Sequence, residues 1–301
     1  MIKKNISKLF NNGGLVISNF DHLNIKKKQI KNIIFNFEKY GVIIFKHLKI
    51  TPDELTKFTD YFSETYAGDA LRRVERFGKK NIRSVDVGNQ EIILHSEASF
   101  TPAWPELVWF FCLKPPINKQ GATTLCDGLM LWKKLSNKTK NFFLSNPIVY
   151  DLKIPVNIKK RNIKKKPWSL NEPGISNCFI DYKNGLLNLE LTRFAVHKGR
   201  NEQDLCFANH LLIDLDSEDQ LIKRTLLANK KIPKLILNEI KKKAEELTYE
   251  IKWEKNDLVM IDNKRFMHGR RAYKKNNPRD IIVIQTSKAT FSYGTTFRKI
   301  A

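Results

Sequence analysis

The chain has 301 residues, enough to bury a sizeable hydrophobic core in one large domain or two smaller ones. Hydrophobic residues make up 42% of it and aromatic residues 11%, a composition that excludes an intrinsically disordered chain. The formal net charge is +23, and no run of about 18 apolar residues occurs, so a membrane-spanning helix is excluded.

The N-terminal part of the sequence alternates helix and strand. Apolar residues at helical spacing predict a helix over residues 25–40. The β-branched and aromatic run at residues 41–45 predicts a buried strand that follows directly. Thr51 and Pro52 predict the start of a second helix, because threonine caps a helix well and proline fits its first position.

The central part of the chain begins with strands and continues with helical patterns. Apolar runs that end at Leu94 and Leu113 predict two strands. Residues 129–145 have helical spacing. Beyond an irregular stretch, residues 217–246 predict a further helix, which Pro233 interrupts because proline lacks the backbone N–H.

The chain closes with predicted strands at residues 251–253, 258–261 and 281–285. Strands at both ends of a long insertion, with helices at the N-terminus, favour a mainly β chain with some α structure, an α+β fold. We expect a double-stranded β-helix, or jelly roll, with a long helical insertion at about 129–250. Residues 1–301 are expected to form a single domain.

Two short segments far apart in the sequence carry the residues of a possible metal site. His95 ends an apolar strand and Glu97 follows two positions later, so strand alternation places both side chains on one face. His268 follows the predicted turn at 262–263. Two imidazoles and one carboxylate hold Fe(II) on one face of an octahedron and leave the other face open. Either histidine alone also fits an ordinary hydrogen-bonded polar residue.

Arg279 stands at the start of the last predicted strand and is the third element of the pattern. A planar guanidinium binds a carboxylate through two parallel hydrogen bonds, which suits the distal carboxylate of 2-oxoglutarate. An ordinary surface arginine after Pro278 is the alternative interpretation.

Taken together, these segments resemble the taurine dioxygenase and clavaminate synthase-like family of Fe(II)- and 2-oxoglutarate-dependent oxygenases. The resemblance implies His95, Glu97 and His268 as iron ligands, with Fe(II) as the metal and 2-oxoglutarate and O2 as co-substrates. Glutamate as the acidic ligand is typical of the clavaminate-like branch and argues against a halogenase. The segments that carry the likeness are YGVIIF (40–45), ITPDEL (50–55), HSEASFTPAWP (95–105), FFCLKPP (110–116), GATT (121–124) and HGRRAY (268–273).

The resemblance also implies that Thr123 and Arg279 bind the distal carboxylate of 2-oxoglutarate. The loop reads GATT where the family has GGxT, so Thr124 is an alternative to Thr123. Val283 stands where a second arginine is expected, and Arg270 is the candidate that would supply this positive charge instead.

The activity that the resemblance implies is hydroxylation of a C–H bond in a small amino-acid-like or carboxylate substrate, with decarboxylation of 2-oxoglutarate to succinate. Desaturation and ring closure are alternative outcomes. Candidate substrate contacts are Arg193, Asn209 and Arg270. Two other interpretations stay open: an oxygenase acting on a nucleic acid or on a substrate tethered to an acidic carrier protein, and a non-enzymatic jelly-roll binding protein.

The positive charge and the cysteines bear on partners and compartment. The lysines accompany many asparagines and isoleucines, which share A/T-rich codons, and are not interleaved with aromatic residues, so nucleic acid is not the expected partner. The basic cluster at 159–166 predicts a loop that could dock an acidic carrier protein or close over the site, and residues 241–243 predict a solvated helix face.

Four cysteines without a CxxC pair, and no secretory signal, predict free thiols in the cytoplasm, with no membrane partner.

Overall fold

The computed structural model describes residues 6–10, 13–67, 73–155, 170–199, 203–213, 222–226, 230–276 and 278–291. The basic cluster predicted at 159–166 lies outside these residues. Among the helices that are described, none is long and apolar enough to cross a membrane.

Strands predominate over helices in the described chain, as the sequence predicts. The helices are α1 (Lys27–Tyr40), α2 (Pro52–Asp60), α3 (Gly128–Lys134), α4 (Asn137–Ser145) and α5 (Lys234–Glu246). The strands are β1 (Ile6–Phe10), β2 (Gly13–Ile17), β3 (Val42–Phe45), β4 (Ser63–Tyr66), β5 (Glu75–Arg76), β6 (Lys79–Ser84), β7 (Ile92–His95), β8 (Leu107–Lys114), β9 (Thr123–Asp127), β10 (Ile148–Pro155), β11 (Ile175–Asp181), β12 (Leu186–Arg193), β13 (His197–Lys198), β14 (Leu205–Cys206), β15 (Ile222–Leu226), β16 (Tyr249–Ile251), β17 (Leu258–Asp262), β18 (Phe266–Arg270) and β19 (Asp280–Ala289).

The large sheet is built mainly from strands that are distant in sequence. Its spatial order is β1-β2-β3-β17-β8-β19-β6-β5, and β4 also pairs with β19. Strands β2 and β3 run parallel, whereas β17 pairs antiparallel with both β3 and β8. A smaller antiparallel sheet has the order β16-β9-β18-β7. In the described chain neither sheet closes on itself.

One face of the large sheet is covered by the two N-terminal helices. Phe58 on α2 packs edge-on against Phe45 of β3, with ring centroids 5.3 Å apart, and against Trp109 of β8 at 6.3 Å. Phe37 on α1 belongs to the same hydrophobic core. Thr51 caps α2 as predicted, because its side chain accepts a hydrogen bond from the backbone N–H of Glu54.

The other face of the large sheet packs against the small sheet. Ile44, Phe110 and Val283 point to this side, since strand residues alternate between faces. They share one core with Leu125 of β9 and Phe266 of β18. Strands β9 and β18 thereby pack on the large sheet, and β7 is held beside them through its pairing with β18.

The described residues of the insertion at 129–250 are not mainly helical, which corrects the sequence prediction. Besides α3, α4 and α5 it contains a second four-stranded sheet of order β11-β12-β10-β15. Residues 222–226, predicted as helix, form β15 because they pair along β10, and the helix starts at Lys234, directly after Pro233. The insertion shares a core with the outer face of the small sheet through Leu94, Cys126 and Met267.

Candidate active site

Three predicted metal ligands meet where β7 and β18 pair. His268 lies directly opposite His95 in the antiparallel register, and Glu97 follows the end of β7. Glu97 Oε2 lies 3.6 Å from His268 Nε2 and 4.0 Å from His95 Nε2. One ligand atom from each residue lies within 4.8 Å of the other two. The fold thus brings together two segments that the sequence separates widely.

The His95 ring is oriented by the backbone of its own strand. Its Nδ1 lies 2.8 Å from the carbonyl oxygen of Ile93, which can only accept a hydrogen bond. Nδ1 therefore carries the proton, and the Nε2 lone pair faces Glu97. Burial, together with the nearby His268, lowers the pKa of His95 to about 4, so the ring is neutral at pH 7 and able to bind a metal.

The Glu97 carboxylate is held ionised by a buried arginine. Burial opposes its ionisation, but the positive charge of Arg73 and the contacts with His268 and His95 together outweigh burial and hold the pKa of Glu97 well below its usual range. Arg73 Nη2 donates to Glu97 Oε2 at 2.8 Å, while Arg73 Nε donates to Asp86 Oδ1 at 3.0 Å. The site therefore presents a negative charge between two imidazoles, the donor set that suits a divalent cation.

Thr123 and Arg279 lie next to each other, beside the two strands that hold the histidines. Arg279 donates through Nη2 to Thr123 Oγ1 at 3.2 Å and through Nε to the carbonyl oxygen of Gly121 at 2.7 Å. Trp253 Nε1 also donates to Thr123 Oγ1, at 3.0 Å. Burial, with the charge of Arg270, lowers the pKa of Arg279 to about 10, so the guanidinium stays positive at pH 7.

Thr123 and Thr124, the two alternatives left open by the sequence, face different neighbours. Thr124 is opposite Gly269 in the β9–β18 register, and its Oγ1 lies 2.8 Å from the place that a Gly269 Cβ would occupy. Thr123 is therefore the threonine that contacts Arg279.

One cavity joins these groups. The described residues that line it include one residue of the metal cluster, the threonine, one acidic residue and three arginines: His268, Phe110, Thr123, Asp86, Arg73, Arg270 and Arg279. The cavity is therefore positively charged at the end that holds Thr123, and apolar at Phe110.

The donor set fits Fe(II). Metal–nitrogen and metal–oxygen bonds of about 2.1 Å allow one ion to touch donors that lie less than about 4.2 Å apart. Both histidine–glutamate separations are within this limit. Two imidazoles and one carboxylate, with a cavity on the remaining side, match the coordination of non-haem Fe(II) oxygenases.

The family described as taurine catabolism dioxygenase TauD, TfdA family has a model that matches residues 6–285. The chain belongs to this family. TauD-family enzymes of this kind are dioxygenases that use Fe(II), 2-oxoglutarate and O2, and the chain is an enzyme of that class.

Individual relatives of this TauD-family enzyme are distant in sequence but similar over almost the whole chain. It is 19% identical over 278 residues to 3-((Z)-2-isocyanoethenyl)-1H-indole synthase of Fischerella ambigua (strain UTEX 1903), covering 89% of this chain and 90% of that protein. The crystal structure of AAD-2 with Mn(II) and N-oxalylglycine has a TM-score of 0.64 at 17% identity and covers 96% of this chain and 98% of that one. A taurine dioxygenase from Burkholderia xenovorans has a TM-score of 0.64 at 13% identity, with 93% and 88% coverage. These structural likenesses show the fold.

Asn263 fixes the Glu97 backbone in this TauD-family enzyme, a role that sequence reasoning missed. Its side chain accepts a hydrogen bond from the Glu97 N–H at 2.8 Å and donates to the carbonyl oxygens of Glu97 at 3.0 Å and Pro105 at 2.8 Å. The sequence does predict the turn at 262–263, but it does not show which backbone the amide would reach.

Arg73 is the second residue that sequence reasoning missed. It lies in a basic stretch, and nothing in its spacing from the motif at His95 indicates a contact with Glu97. Arg73 lies just before β5. The fold, including the pairing of β5 with β6, is what places its side chain in contact with Glu97.

The three predicted substrate residues differ in position. Arg270 lines the cavity, with its two terminal nitrogens donating to the backbone oxygens of Asp86 and Gln90, each at 2.9 Å. Arg193 and Asn209 are absent from the described lining of the cavity. Arg193 donates to the backbone carbonyl oxygens of Ser99 and Thr101, and Asn209 donates to that of Ala195.

Proposed function

We propose that this TauD-family dioxygenase hydroxylates a C–H bond of a small amino-acid-like or carboxylate substrate, with His95, Glu97 and His268 as the Fe(II) ligands. The convergence of these three side chains within 4.8 Å, with His268 on the wall of a cavity, carries the proposal. Thr123 and Arg279 are proposed to hold the distal carboxylate of 2-oxoglutarate.

His95 and Glu97 already have the protonation states that metal binding requires. The neutral ring of His95 offers a lone pair without releasing a proton, and Glu97 brings one negative charge. When bound, Fe(II) supplies O2 activation coupled to oxidative decarboxylation of 2-oxoglutarate. The apolar walls formed by Ile92 and Phe110 keep water away from the reacting atoms.

Thr123 is suited to a carboxylate ligand because its oxygen already accepts two hydrogen bonds, from Trp253 and Arg279. Its own hydroxyl proton is left to donate to another acceptor. The positive Arg279 guanidinium beside it adds a charge-assisted donor. Together they form the proposed binding site for the distal end of 2-oxoglutarate.

The substrate class is supported by charge and by one relative. The cavity has three lining arginines, Arg73, Arg270 and Arg279, which favours an anionic substrate. The name of the Fischerella ambigua relative describes a small nitrogen-containing product, an isocyanoethenyl indole. Hydroxylation is the expected outcome, with desaturation as the alternative from the same site. Substrate contacts through Arg193 and Asn209 stay predictions.

We also propose that residues 1–301 form one jelly-roll domain, with an insertion at about 129–250. Support comes from the packing of the small sheet, since Leu125 and Phe266 face the large sheet while Cys126 and Met267 face the insertion. A cytoplasmic location is proposed because the four cysteines are free and buried.

The test is an anaerobic titration of the metal-free protein with Fe(II) and then 2-oxoglutarate, following the weak visible charge-transfer band of the chelate. The wild type should develop the band, and His95→Ala and His268→Ala should not. The matched control is His47→Ala, because the side chain of His47 is 62% exposed and lies outside the cavity lining. A folded wild-type protein without the band would refute the proposed iron site.

A further inference from the structure

Arg73 has an unused hydrogen-bond donor at the edge of the proposed iron site. Its side chain is only 8% exposed. Nη2 is shared between Glu97 at 2.8 Å and Asp86 at 3.2 Å, and Nε donates to Asp86. The remaining nitrogen, Nη1, is buried and has no hydrogen-bond partner among the described residues. Buried guanidinium nitrogens are normally paired, because an unpaired one loses its hydration without compensation.

The ligands already proposed do not use this donor. The distal carboxylate of 2-oxoglutarate has Thr123 and Arg279, and its other end is the part that would meet the metal. Arg270 holds two backbone oxygens with its terminal nitrogens, which leaves only its Nε unpaired. Arg73 is thus the cavity-lining guanidinium with a free terminal nitrogen beside a metal ligand.

The charged groups around the cavity also have a net positive charge that one more anion would balance. The cavity is lined by three guanidinium groups and by the carboxylate of Asp86, and the carboxylate of Glu97 contacts Arg73 beside it. Binding of Fe(II) would add two positive charges, and binding of 2-oxoglutarate as a dianion would cancel them. One positive charge then stays in a buried site where an unbalanced charge is costly.

We propose that Nη1 of Arg73 binds a carboxylate of the organic substrate and so places that substrate beside Glu97. This inference rests on the proposed function and narrows its substrate class to carboxylic acids. A guanidinium suits the role because its fork can hold the carboxylates of Glu97 and Asp86 on one side and a third carboxylate on the other. The C–H bond that reacts should lie within a few bonds of that carboxylate.

The decisive variant is Arg73→Lys, which keeps the positive charge for Glu97 and Asp86 but lacks the second terminal nitrogen. Arg76→Lys is the matched control, because Arg76 makes a similar two-nitrogen contact with Asp280 and is absent from the described cavity lining. Both proteins and the wild type are first titrated with Fe(II) and 2-oxoglutarate, and their thermal unfolding is compared to confirm folding.

The probes are matched pairs of acids and primary amides: the common amino acids and the straight-chain acids from butanoate to decanoate. Each is added anaerobically to the Fe(II)–2-oxoglutarate complex, and the shift of the visible band is recorded. Acids, but not their amides, should shift the wild-type and Arg76→Lys bands. In Arg73→Lys the half-saturating acid concentration should rise about tenfold or more, since a charge-assisted hydrogen bond is lost.

Three results would overturn the assignment of Arg73. One is that no acid of the panel shifts the wild-type band, or that the amides act equally well. Another is that Arg73→Lys responds to acids like the wild type. The last is that folded Arg73→Lys fails to form the band, which would assign Arg73 to holding Glu97 or 2-oxoglutarate. Failure of the broader function is distinguishable, because the wild-type band would then be missing from the start.

Discussion

At the scale of single residues, Thr123 shows how one hydroxyl connects the co-substrate site to the core. Its oxygen accepts hydrogen bonds from Trp253 at 3.0 Å and from Arg279 at 3.2 Å. The threonine is buried, so both donors depend on it in a site without competing water. Removing the Thr123 hydroxyl should therefore mainly weaken the binding of 2-oxoglutarate, the ligand that it is proposed to contact.

We predict that Thr123→Val weakens 2-oxoglutarate binding about tenfold to a hundredfold. Valine has a similar shape but leaves the Trp253 and Arg279 donors unpaired and removes the hydroxyl donor. Thr123→Ser, which keeps the hydroxyl, should stay within about threefold of the wild type. The measurement is the 2-oxoglutarate concentration that half-saturates the chelate band. Equal values for the valine and serine variants would contradict the role given to the hydroxyl.

His197 gives the metal-free protein a pH-dependent stability. Burial lowers its pKa to about 4, although its Nε2 lies 2.7 Å from the carbonyl oxygen of Lys264. In the unfolded chain the pKa of histidine is about 6.5. Between these values the unfolded state binds the extra proton, so stability is lost as the pH falls from about 6.5 towards 4.

We expect the free energy of unfolding of the wild type to fall more than that of His197→Gln when the pH is lowered from about 7 to about 5. The difference should be about 2 kcal/mol, because glutamine has no proton to gain. Urea unfolding of the metal-free proteins at both pH values measures it. His95 contributes equally to both proteins and cancels. Parallel pH dependences would show that the pKa of His197 is the same in the folded and unfolded states.

At the scale of elements, the turn between β17 and β18 holds the backbone of the loop that follows β7 through hydrogen bonds. Asn263 in this turn is fully buried and bonds both the N–H and the carbonyl oxygen of Glu97. It also donates to Pro105, in the segment that leads into β8. One side chain thus fixes the backbone of the proposed acidic ligand relative to the strand that bears His268.

Asn263→Ala should cost about 2–4 kcal/mol of stability, since several buried hydrogen bonds are lost and their partners stay unpaired. Fe(II) affinity should fall about tenfold or more, because Glu97 is no longer held in place. The control is Asn32→Ala, an exposed change on α1 that should alter stability by less than about 0.5 kcal/mol. Urea unfolding and Fe(II) titration provide the two readouts. Unchanged Fe(II) affinity in the folded variant would be incompatible with the proposed clamp.

The elements that the sequence predicts well are those whose signals are local. The start of α2 follows from Thr51 and Glu54, which cap each other's backbone, and β3 follows from its unbroken apolar run. Residues 222–226 were predicted wrongly because their strand depends on β10, which lies far away in the sequence. The contacts of Arg73 and Asn263 with Glu97 were missed for the same reason.

At the scale of the whole molecule, the described chain is layered, and the site lies on the small sheet. Helices α1 and α2 cover the large sheet, the small sheet packs on its other face, and the insertion covers the small sheet in turn. The sequence predicts a mainly β chain with distant strands pairing, and the meeting of His95 and His268 depends on that pairing. The four-stranded sheet of the insertion does not follow from local periodicity, because it depends on the pairing of strands that lie far apart in the sequence, such as β10 and β15.

The net charge of +23 should also govern stability as a whole. Folding brings these charges closer together, and their mutual repulsion destabilises the compact state at low salt. Salt also screens favourable contacts, such as those of Arg271 with Glu91, Glu245 and Glu250. Exposed ion pairs are each worth only about 0–1 kcal/mol, so the large excess of like charge should dominate.

We therefore predict that raising NaCl from about 20 mM to about 300 mM increases the free energy of unfolding by roughly 1 kcal/mol, since the screening length shrinks from about 20 Å to about 6 Å. Urea unfolding at each salt concentration measures the effect, because urea itself is uncharged. Glucose at equal osmolality is the control and should give a smaller change. A decrease with salt would mean that ion pairs such as those of Arg271 outweigh the repulsion between the many lysines.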